Sequence, residues 1–517
     1  MEYNNIEKNN VKNFKVLFLY PNQMAGVVPV SLALLSACLK KSGFQTKLFD
    51  ASLYNLAEKS QDEVREKYNQ VKKTELDKYF SYKKEDIFED FIKTVKEYKP
   101  NLIVTTAVDE TLPLTFALLD KVKEFSIPCV AGGITAIFNP GRVFQHNSIG
   151  FVCIGEGEEA IVELCEKIYN GEDYSNIRNF HIRNKDGTIK KNPLRPLVDI
   201  NNLPHPDYSI YDDTRFYRPF HGEVVRMTVI DTDRGCPHKC TFCAAPALMD
   251  YYKKNNNSTY FRTKDVDKII DEIKYVIKEY KVNFIWFSSE TFLARSLKEL
   301  REFARRYKEE INLPFWCQTR LDTFTDEKIT MLKDMGCKAM SLGLEHGDEK
   351  MRNDVIKKNI SDEQIIEAAH LIAKSGITAT INSMIGLPDE TREQVFKTID
   401  MNRKLYSILG GNCSLNTFTF SPFYGTPLRE LSIKKGYLKD PSKIPNFYSG
   451  SILEMPSMSK EEILGFEKTL PLYIKLPEEY FPQIEIAKKD DEEGTAMFEK
   501  LSEISKNLAS KKVAQAL

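Results

Sequence analysis

The stretch "RGCPHKCTFCAAP", residues 234–246, carries three cysteines in the spacing C-x-x-x-C-x-x-C. Thiols this close together, at Cys236, Cys240 and Cys243, are typical of a metal centre. Most metals that are held by thiolates take four ligands, so this loop leaves one ligand to come from elsewhere. The loop directly follows a predicted strand that opens a series of strand–helix units. It therefore marks one end of a fold as well as a candidate site.

The bulk composition indicates an ordinary globular protein with more than one domain. The chain has 517 residues, of which 42% are hydrophobic and 28% charged, and this is too long for one compact core. Its 73 basic and 74 acidic side chains give a net charge of −1, which provides no electrostatic attraction to nucleic acid or an anionic membrane. No apolar run reaches the ~20 residues of a membrane span, and the polar N-terminus lacks a signal-peptide core. We therefore expect a cytoplasmic protein with reduced thiols.

The first 170 residues alternate short apolar strands with helices, which predicts an α/β domain with a Rossmann-like, doubly wound parallel sheet. A charged helical insertion is predicted at 56–98. The predicted strands are 14–21, 45–51, 100–108, 128–133 and 149–157.

Turns and prolines over 171–222 predict a linker that packs on both neighbours. A second strand–helix series then predicts a partial (β/α)6 barrel over 223–430, with its site at the carboxyl ends of the strands. Residues 431–517 are predicted to be mostly helical. The predicted barrel strands are 224–233, 282–288, 314–320, 338–345, 377–385 and 412–421.

Three kinds of site compete for the cysteine loop. A disulfide framework is disfavoured because three is an odd number and the expected compartment is reducing. A zinc ion held by the three thiolates and His238 is an alternative, although His238 lies between two ligand positions. A four-iron–four-sulfur (4Fe-4S) cluster suits thiolates best. With three cysteines it leaves one iron open for a small molecule that must bind metal in order to react.

The cysteine spacing, with Phe242 directly before the last cysteine and a six-unit barrel following, resembles the radical S-adenosylmethionine (SAM) superfamily over roughly 224–430. In that family SAM itself chelates the fourth iron. The resemblance implies SAM contacts at the strand ends, where the chain places "FSSET", "QTRLD", "GLEHG" and "NSMIGLP". These contacts are Phe242, Glu290, Arg320, Glu345, Asn382 and Ser383.

Two of these positions carry an alternative interpretation. Ser288 and Ser289 precede Glu290 where the family usually has glycine or aspartate, which is a departure from its pattern. Arg320 has a second possible role as the partner of Asp322 or of a helix end.

The N-terminal domain has no G-x-G-x-x-G after its first strand, which disfavours a dinucleotide site. It resembles the cobalamin-binding domains that precede many radical SAM barrels, on residues 29–50, the Gly132–Gly133 pair and "GEGEEAIVEL" at 155–164. The alternative role of the glycines is to allow close packing of helices on the sheet. The alternative role of Glu156 is to complement the dipole at the start of a helix. The implied cobalamin contacts are Pro21, Gln23, Gly26, Thr106, Gly132, Gly133, Gly155 and Glu156.

One departure concerns the lower ligand of cobalt. Cobalamin domains of the methionine-synthase type carry D-x-H-x-x-G, whereas here Pro21 and Gln23 stand at the aspartate and histidine positions and Gly26 is kept. The resemblance therefore implies cobalamin bound base-off, without a histidine ligand.

Together the two resemblances imply a cobalamin-dependent radical SAM enzyme, and most simply a C-methyltransferase. One SAM is cleaved to a 5′-deoxyadenosyl radical that removes hydrogen from an unactivated carbon, and a second SAM supplies the methyl group through cobalamin. An electron donor such as flavodoxin or ferredoxin is expected, and the substrate, a small molecule or a peptide side chain, is not identified.

Several alternatives stay open. The first is a rearrangement or cyclisation without methyl transfer. A transfer-RNA methylthiotransferase is disfavoured, because the N-terminal cysteines are not grouped and the tail is not basic. A non-catalytic cobalamin or metal sensor would not need the SAM-binding strand ends. The acid-rich helices near 472–494 either line the substrate entrance or buttress the barrel.

Overall fold

The computed structural model describes residues 12–22, 28–56, 74–410, 412–443 and 450–516. These residues fall into two compact units. The first comprises the described part of Met1–Ser60 together with Glu75–Arg234 and Leu248–Phe284. The second comprises Gly235–Ala247, the described part of Ile285–Leu517, and Thr74.

The first unit is built on a seven-stranded sheet of order β2-β1-β3-β4-β5-β6-β7. Strands β1 to β5 pair in parallel, as the doubly wound prediction requires, whereas β6 and β7 add antiparallel. These last two strands come from the segment predicted as a linker. The strands are β1 (Lys15–Tyr20), β2 (Gln45–Asp50), β3 (Leu102–Thr106), β4 (Cys129–Gly132), β5 (Ile149–Cys153), β6 (Phe180–Arg183) and β7 (Ile189–Lys191).

Helices of the first unit follow from local signals in the sequence. Asp86 caps one of them by accepting hydrogen bonds from the backbone N–H groups of Phe88 and Glu89. Gly171 ends another in the left-handed conformation that glycine adopts readily. The helices are α1 (Val30–Lys41), α2 (Ile87–Tyr98), α3 (Leu112–Lys121), α4 (Ile134–Phe138), α5 (Pro140–Val143) and α6 (Glu158–Asn170).

A second seven-stranded sheet, of order β16-β15-β14-β13-β12-β9-β8, curls into the predicted partial barrel. Strands β12 to β16 pair in parallel, while β8 and β9 form an antiparallel pair. The short strands β10 and β11 pair separately. The strands are β8 (Tyr217–Phe220), β9 (Glu223–Ile230), β10 (Asp233–Arg234), β11 (Arg262–Thr263), β12 (Phe284–Phe287), β13 (Phe315–Arg320), β14 (Cys337–Glu345), β15 (Thr378–Ile385) and β16 (Cys413–Thr419).

Capping boxes start two of the helices between these strands. Ser296 and Ser361 each pair with the residue three positions on. The helices are α7 (Ala244–Asn256), α8 (Val266–Tyr280), α9 (Leu297–Glu310), α10 (Asp326–Met335), α11 (Asp362–Ser375) and α12 (Arg392–Ile408), followed by α13 (Pro427–Lys434), α14 (Lys460–Lys475), α15 (Phe481–Ala487) and α16 (Glu492–Ala516). The α/β class, with its doubly wound sheet, partial barrel and helical C-terminal region, is thus confirmed. None of the helices in the described part of the chain has the length and apolar character that crossing a bilayer requires.

The alternation of side chains along the barrel strands decides which residues reach the inside. Phe287 packs edge-on against Phe303 and Tyr307 of α9, so this face of β12 meets the helix layer. Successive residues of a strand point to opposite faces. The neighbouring Trp286 therefore points away from that layer, where it stacks on Trp316 of β13 at 4.6 Å between ring centroids. By the same alternation Arg320, at the end of β13, lies on the inner face.

Candidate functional site

The three cysteines lie on the loop that joins β10 to α7. Cys236 is buried, and Cys240 and Cys243 are half-buried. The loop is tied down between its cysteines by Thr241, whose backbone N–H donates to the Ile356 carbonyl at 2.9 Å. The Thr241 hydroxyl donates to the Val355 carbonyl at 2.7 Å. The thiols are thus held in place by the backbone that follows β14.

Each cysteine sulfur has a hydrogen-bonding neighbour. The Cys236 sulfur accepts from the backbone N–H of His238 and lies 3.7 Å from the Thr291 hydroxyl. The Cys243 sulfur accepts from the Ala245 backbone N–H at 3.5 Å. The Cys240 sulfur accepts from Nη1 of Arg320, also at 3.5 Å. Donors of this kind orient thiolate ligands and stabilise their charge.

Burial disfavours the thiolate form of these cysteines. It raises the pKa of Cys243 to about 12, and it also raises the pKa of Cys236 and Cys240 above their usual range. The exposed carboxylate of Glu290 adds to this effect on Cys236 and Cys243. Three thiolates so close together therefore need a positively charged centre to balance them.

The arrangement of the thiols fits a cluster of several irons. In the described part of the chain, no three side chains of His, Cys, Asp or Glu converge as a single metal ion requires. The three cysteines are nevertheless close enough to raise the pKa of Cys243 through their mutual charges. In a 4Fe-4S cluster each cysteine binds a different iron, so three neighbouring thiols that do not share a single metal ion are compatible with such a cluster. His238, the fourth ligand of the zinc alternative, has a buried Nε2 without a hydrogen-bond partner among the described residues.

Arg320 donates three hydrogen bonds to two partners besides Cys240. Its Nε and Nη2 donate to the two carboxylate oxygens of Asp322, at 2.9 and 2.7 Å. Nη2 also donates to the backbone carbonyl of Lys358 at 2.6 Å. The Arg320–Asp322 pairing that the sequence offered as an alternative is therefore present. It accompanies the contact to the cysteine loop and does not exclude it.

Glu345, at the end of β14, has an unfavourable backbone conformation that the surrounding structure must hold in place. Its φ of 65° lies in the left-handed region, and the register of β14 against β15 shifts between Gly343 and Glu345. The carboxylate of Glu345 pairs with Nζ of Lys358 at 2.9 Å. A Cβ on Gly343 would lie 2.0 Å from that carboxylate oxygen, so this glycine makes room for the ion pair. Unfavourable φ at such a residue is common at functional sites.

Asn382 and Ser383 lie on opposite faces of β15. Asn382 donates to the Ser341 hydroxyl at 2.8 Å and accepts from Asn416 at 3.1 Å, which forms a polar ladder across β14, β15 and β16. The buried Ser383 hydroxyl accepts from Asn402 of α12 at 2.9 Å. Of these two residues, only Asn382 has its side chain on the face of β15 that carries the polar ladder. A SAM contact from Ser383 stays a prediction that would have to use its backbone.

Two features of the strand ends were not predicted from the sequence. Lys358 is 4% exposed and joins Glu345 to Arg320 through its ammonium and its carbonyl. His346 and Glu390 form a fully buried pair at 2.9 Å. The second oxygen of Glu390 accepts from the backbone N–H groups of Gly386 and Leu387 and so fixes the turn after β15. The sequence signal for this pair was a carboxylate two residues beyond the Gly–Leu–Pro turn, but its histidine partner is 44 residues away.

In the first unit the predicted cobalamin residues gather at the carboxyl edge of the parallel strands. Pro21 follows β1, Thr106 ends β3, and Gly132 ends β4, with Gly155 just after β5. The strand order reverses direction between β1 and β3, and such a switch point is where doubly wound sheets bind ligands. Gln23 and Gly26 lie outside the described residues.

Two of the predicted glycines are required by the fold itself. Gly133 has a φ of 115°, and a Cβ there would lie 3.0 Å from the Ala107 carbonyl oxygen. A Cβ on Gly155 would lie 2.9 Å from the side chain of Asn179. Gly132 differs, because its Cβ would meet only Cys153 at an ordinary 3.6 Å. Of the three, Gly132 is the position where a side chain leaves the fold intact.

Glu156 is engaged in a buried ion-pair network within the first unit. One carboxylate oxygen accepts from Arg234 at 2.7 Å and from Arg262, and the other accepts from the Val198 backbone N–H at 2.8 Å. Burial by itself would raise the pKa of Glu156, but the two arginines outweigh it and hold the pKa below its usual range. This carboxylate therefore has a structural role, and its contact to cobalamin stays a prediction.

Residues 231–401, which contain the cysteine loop and the strand ends described above, match the sequence model of the radical SAM superfamily. The chain therefore contains a radical SAM domain. The prediction made from the cysteine spacing is thereby confirmed.

Curated proteins that are similar to this chain are named for different reactions. An uncharacterized methyltransferase of Pyrococcus horikoshii is 27% identical over 356 residues, which cover 68% of this chain and 73% of that relative. An anaerobic magnesium-protoporphyrin IX monomethyl ester cyclase of Rubrivivax gelatinosus is 25% identical over 405 residues, which cover 75% of this chain and 65% of that relative.

A solved structure shares the fold over most of the chain. It is the radical SAM methyltransferase TsrM of Kitasatospora setae, with cobalamin and a 4Fe-4S cluster bound. The match has a TM-score of 0.59 and 17% identity and covers 86% of this chain and 82% of that chain. At this identity the likeness concerns the fold.

Proposed function

We propose that the chain is a cobalamin-dependent radical SAM enzyme that methylates an unactivated carbon of its substrate with two SAM per turnover. The observation that carries the proposal is the presence, in one chain, of a three-cysteine loop at barrel strand ends and a doubly wound sheet with a ligand-binding switch point. The fold shared with a methyltransferase that binds cobalamin and a cluster supports it.

The cysteine loop would hold the cluster through Cys236, Cys240 and Cys243. Cys236 is buried and the other two are half-buried, and the hydrogen-bond donors to Cys240 and Cys243 would hold these sulfurs in a fixed orientation. When bound, the cluster supplies the electron that cleaves SAM, and cobalamin carries the methyl group to the substrate.

The inner face of the barrel would hold SAM. Glu345 presents a carboxylate already oriented by Lys358, and a carboxylate suits the ribose hydroxyls as an acceptor. Glu290 supplies a second carboxylate, which is exposed and close enough to Cys236 for its charge to act there. A carboxylate suits the amino group of SAM. Asn382 adds an amide from the polar ladder. Together these groups would orient SAM against the open iron.

The carboxyl edge of the first sheet would hold cobalamin. Pro21, Thr106 and Gly132 lie at the carboxyl ends of β1, β3 and the neighbouring β4, and Gly132, which has no side chain, would let a ligand approach the backbone closely. Because the sequence has Gln23 in place of the ligating histidine, we propose that cobalamin binds base-off.

A second candidate function is supported by the cyclase relative. The same cofactors would then serve a rearrangement or cyclisation without net methyl transfer. The two candidates differ in the fate of SAM: methyl transfer yields S-adenosylhomocysteine and 5′-deoxyadenosine, whereas cyclisation yields only 5′-deoxyadenosine.

The experiment uses protein reconstituted anaerobically with iron, sulfide and cobalamin, a reductant, and SAM labelled in its methyl group. We expect S-adenosylhomocysteine to form in an amount equal to bound cobalamin even before a substrate is known, with the label recovered in the corrin fraction. Glu345→Ala should lower both SAM-derived products, while Glu367→Ala, on an exposed position of α11, should leave them unchanged. Formation of 5′-deoxyadenosine without S-adenosylhomocysteine would favour the cyclising enzyme.

A further inference from the structure

The guanidinium of Arg320 donates to the sulfur of Cys240, which is a proposed cluster ligand. Most of its other N–H groups already donate to protein acceptors. Arg320 is 7% exposed. Of its five N–H groups, two donate to Asp322, one to the Lys358 carbonyl and one, on Nη1, to the Cys240 sulfur. A guanidinium with this many partners has a fixed orientation, because its planar fork cannot satisfy them in another rotation.

The three cysteine sulfurs differ in the charge of their donors. Cys243 accepts from a neutral backbone N–H, and Cys236 accepts from a neutral backbone N–H and lies beside a neutral hydroxyl. Only Cys240, within the described part of the chain, accepts from a cationic side chain. Lys358 is also near, but its ammonium is paired with the Glu345 carboxylate.

We propose that Arg320 sets the reduction potential of the cluster by donating a charge-assisted hydrogen bond to the Cys240 sulfur. Arg320 acts as a positioning and tuning residue in this account and not as the ligand of the SAM carboxylate. The proposal rests on the cluster of the proposed function. Its physical basis is that reduction adds one negative charge to the cluster, and hydrogen bonds to the sulfurs and nearby positive charge stabilise the reduced state.

The test is a reductive titration of the reconstituted cluster in the absence of SAM, followed by electron paramagnetic resonance. We expect Arg320→Gln to shift the midpoint potential to a more negative value at unchanged iron content. Arg320→Lys keeps a positive charge without the fixed fork, so its shift should have the same sign and be smaller. Arg301→Gln is the matched control, because Arg301 pairs with Glu327 on the exposed face of α9; its potential should equal that of the wild type.

The outcomes separate this proposal from the function on which it rests. If the wild type binds no reducible cluster, the proposed function fails. If the cluster forms and both Arg320 variants titrate at the wild-type potential, the tuning role is overturned. Weaker SAM binding at an unchanged SAM-free potential would assign Arg320 to the SAM carboxylate and would also overturn it. If Arg320→Gln loses its iron, the Arg320→Lys titration decides by the same criterion.

Discussion

The carboxylate of Glu345 and the ammonium of Lys358 form an ion pair at 2.9 Å, and this pair occupies the space beside Gly343 where another residue would place its Cβ. A Cβ on Gly343 would lie 2.0 Å from the Glu345 oxygen and 2.7 Å from the Lys358 nitrogen. At such distances the ends of both side chains would have to shift away from the new Cβ. The end of β14 therefore holds a carboxylate that the proposed function assigns to SAM, together with the lysine that orients it.

Gly343→Ala should weaken SAM binding with little effect on the cluster. Displacing the Glu345 carboxylate removes a hydrogen-bond acceptor that carries charge, and such a loss costs about 1.5–3 kcal/mol. We expect the Kd for SAM to rise at least tenfold in isothermal titration calorimetry, at wild-type iron content. Gly150→Ala is the control, since a Cβ there meets nothing within 4 Å. Unchanged SAM affinity in Gly343→Ala would remove Glu345 from the SAM site.

Each cysteine of the loop should be essential for the cluster. We expect Cys236→Ala, Cys240→Ala and Cys243→Ala to lose most of the iron bound by the wild type, which should be about four per chain. Cys413→Ala is the matched control, because Cys413 is half-buried at the start of β16 and has no proposed ligand role. Iron and sulfide analysis after anaerobic reconstitution measures the outcome. Zinc at one equivalent with no iron–sulfur absorption would contradict the radical SAM chemistry.

Gly132 and Gly133 should respond differently to substitution. Gly133→Ala forces a φ of 115° on an alanine and a 3.0 Å contact with Ala107, and we expect it to destabilise the protein by about 1–3 kcal/mol. Gly132→Ala meets only an ordinary contact and should unfold near the wild-type Tm. The affinity of Gly132→Ala for the corrin, however, should be lower than that of the wild type. Wild-type corrin affinity in a stable Gly132→Ala protein would move the cobalamin site away from the end of β4.

The Glu156 network should make stability depend on pH on the acid side. The pKa of Glu156 is lower in the folded protein than its value of about 4.3 in the unfolded chain. Stabilisation is therefore fully present above about pH 4.3 and is lost as the pH falls toward the folded pKa. We expect Glu156→Gln to lower the Tm at pH 7, since breaking a buried ion pair costs about 3–5 kcal/mol, and to flatten the acid-side decline.

The exposed neighbour Glu159, paired with Arg195 at 3.2 Å, provides the control as Glu159→Gln. Its effect at pH 7 should be small because surface ion pairs contribute little. An identical acid-side decline in Glu156→Gln and the wild type would show that other carboxylates dominate.

The cysteine loop and the strand ends were predictable because their signals are local. The spacing of Cys236, Cys240 and Cys243 and the strand–helix period that follows are read within short windows. Contacts made in three dimensions were not predictable. Lys358 reaches Arg320 across 38 positions and has the sequence appearance of a surface lysine.

In two further places the structure departs from the pattern predicted from the sequence, and each departure has a physical reason. Asn382 and Ser383 were grouped because they are adjacent, but alternation along a strand sends adjacent side chains to opposite faces, and Ser383 meets the helix layer. Strands β6 and β7 were included in a linker because they have four and three residues. Strands this short carry too little alternation to be distinguished from turns.

The stoichiometry of iron and corrin after anaerobic reconstitution shows whether one chain holds both cofactors. We predict about four irons and one corrin per chain in the wild type, and retention of the corrin with loss of the iron when the three loop cysteines are replaced together by alanine. The corrin should show a base-off absorption spectrum that Gln23→Ala does not change. A wild type that binds the cluster but takes up no corrin would contradict the account.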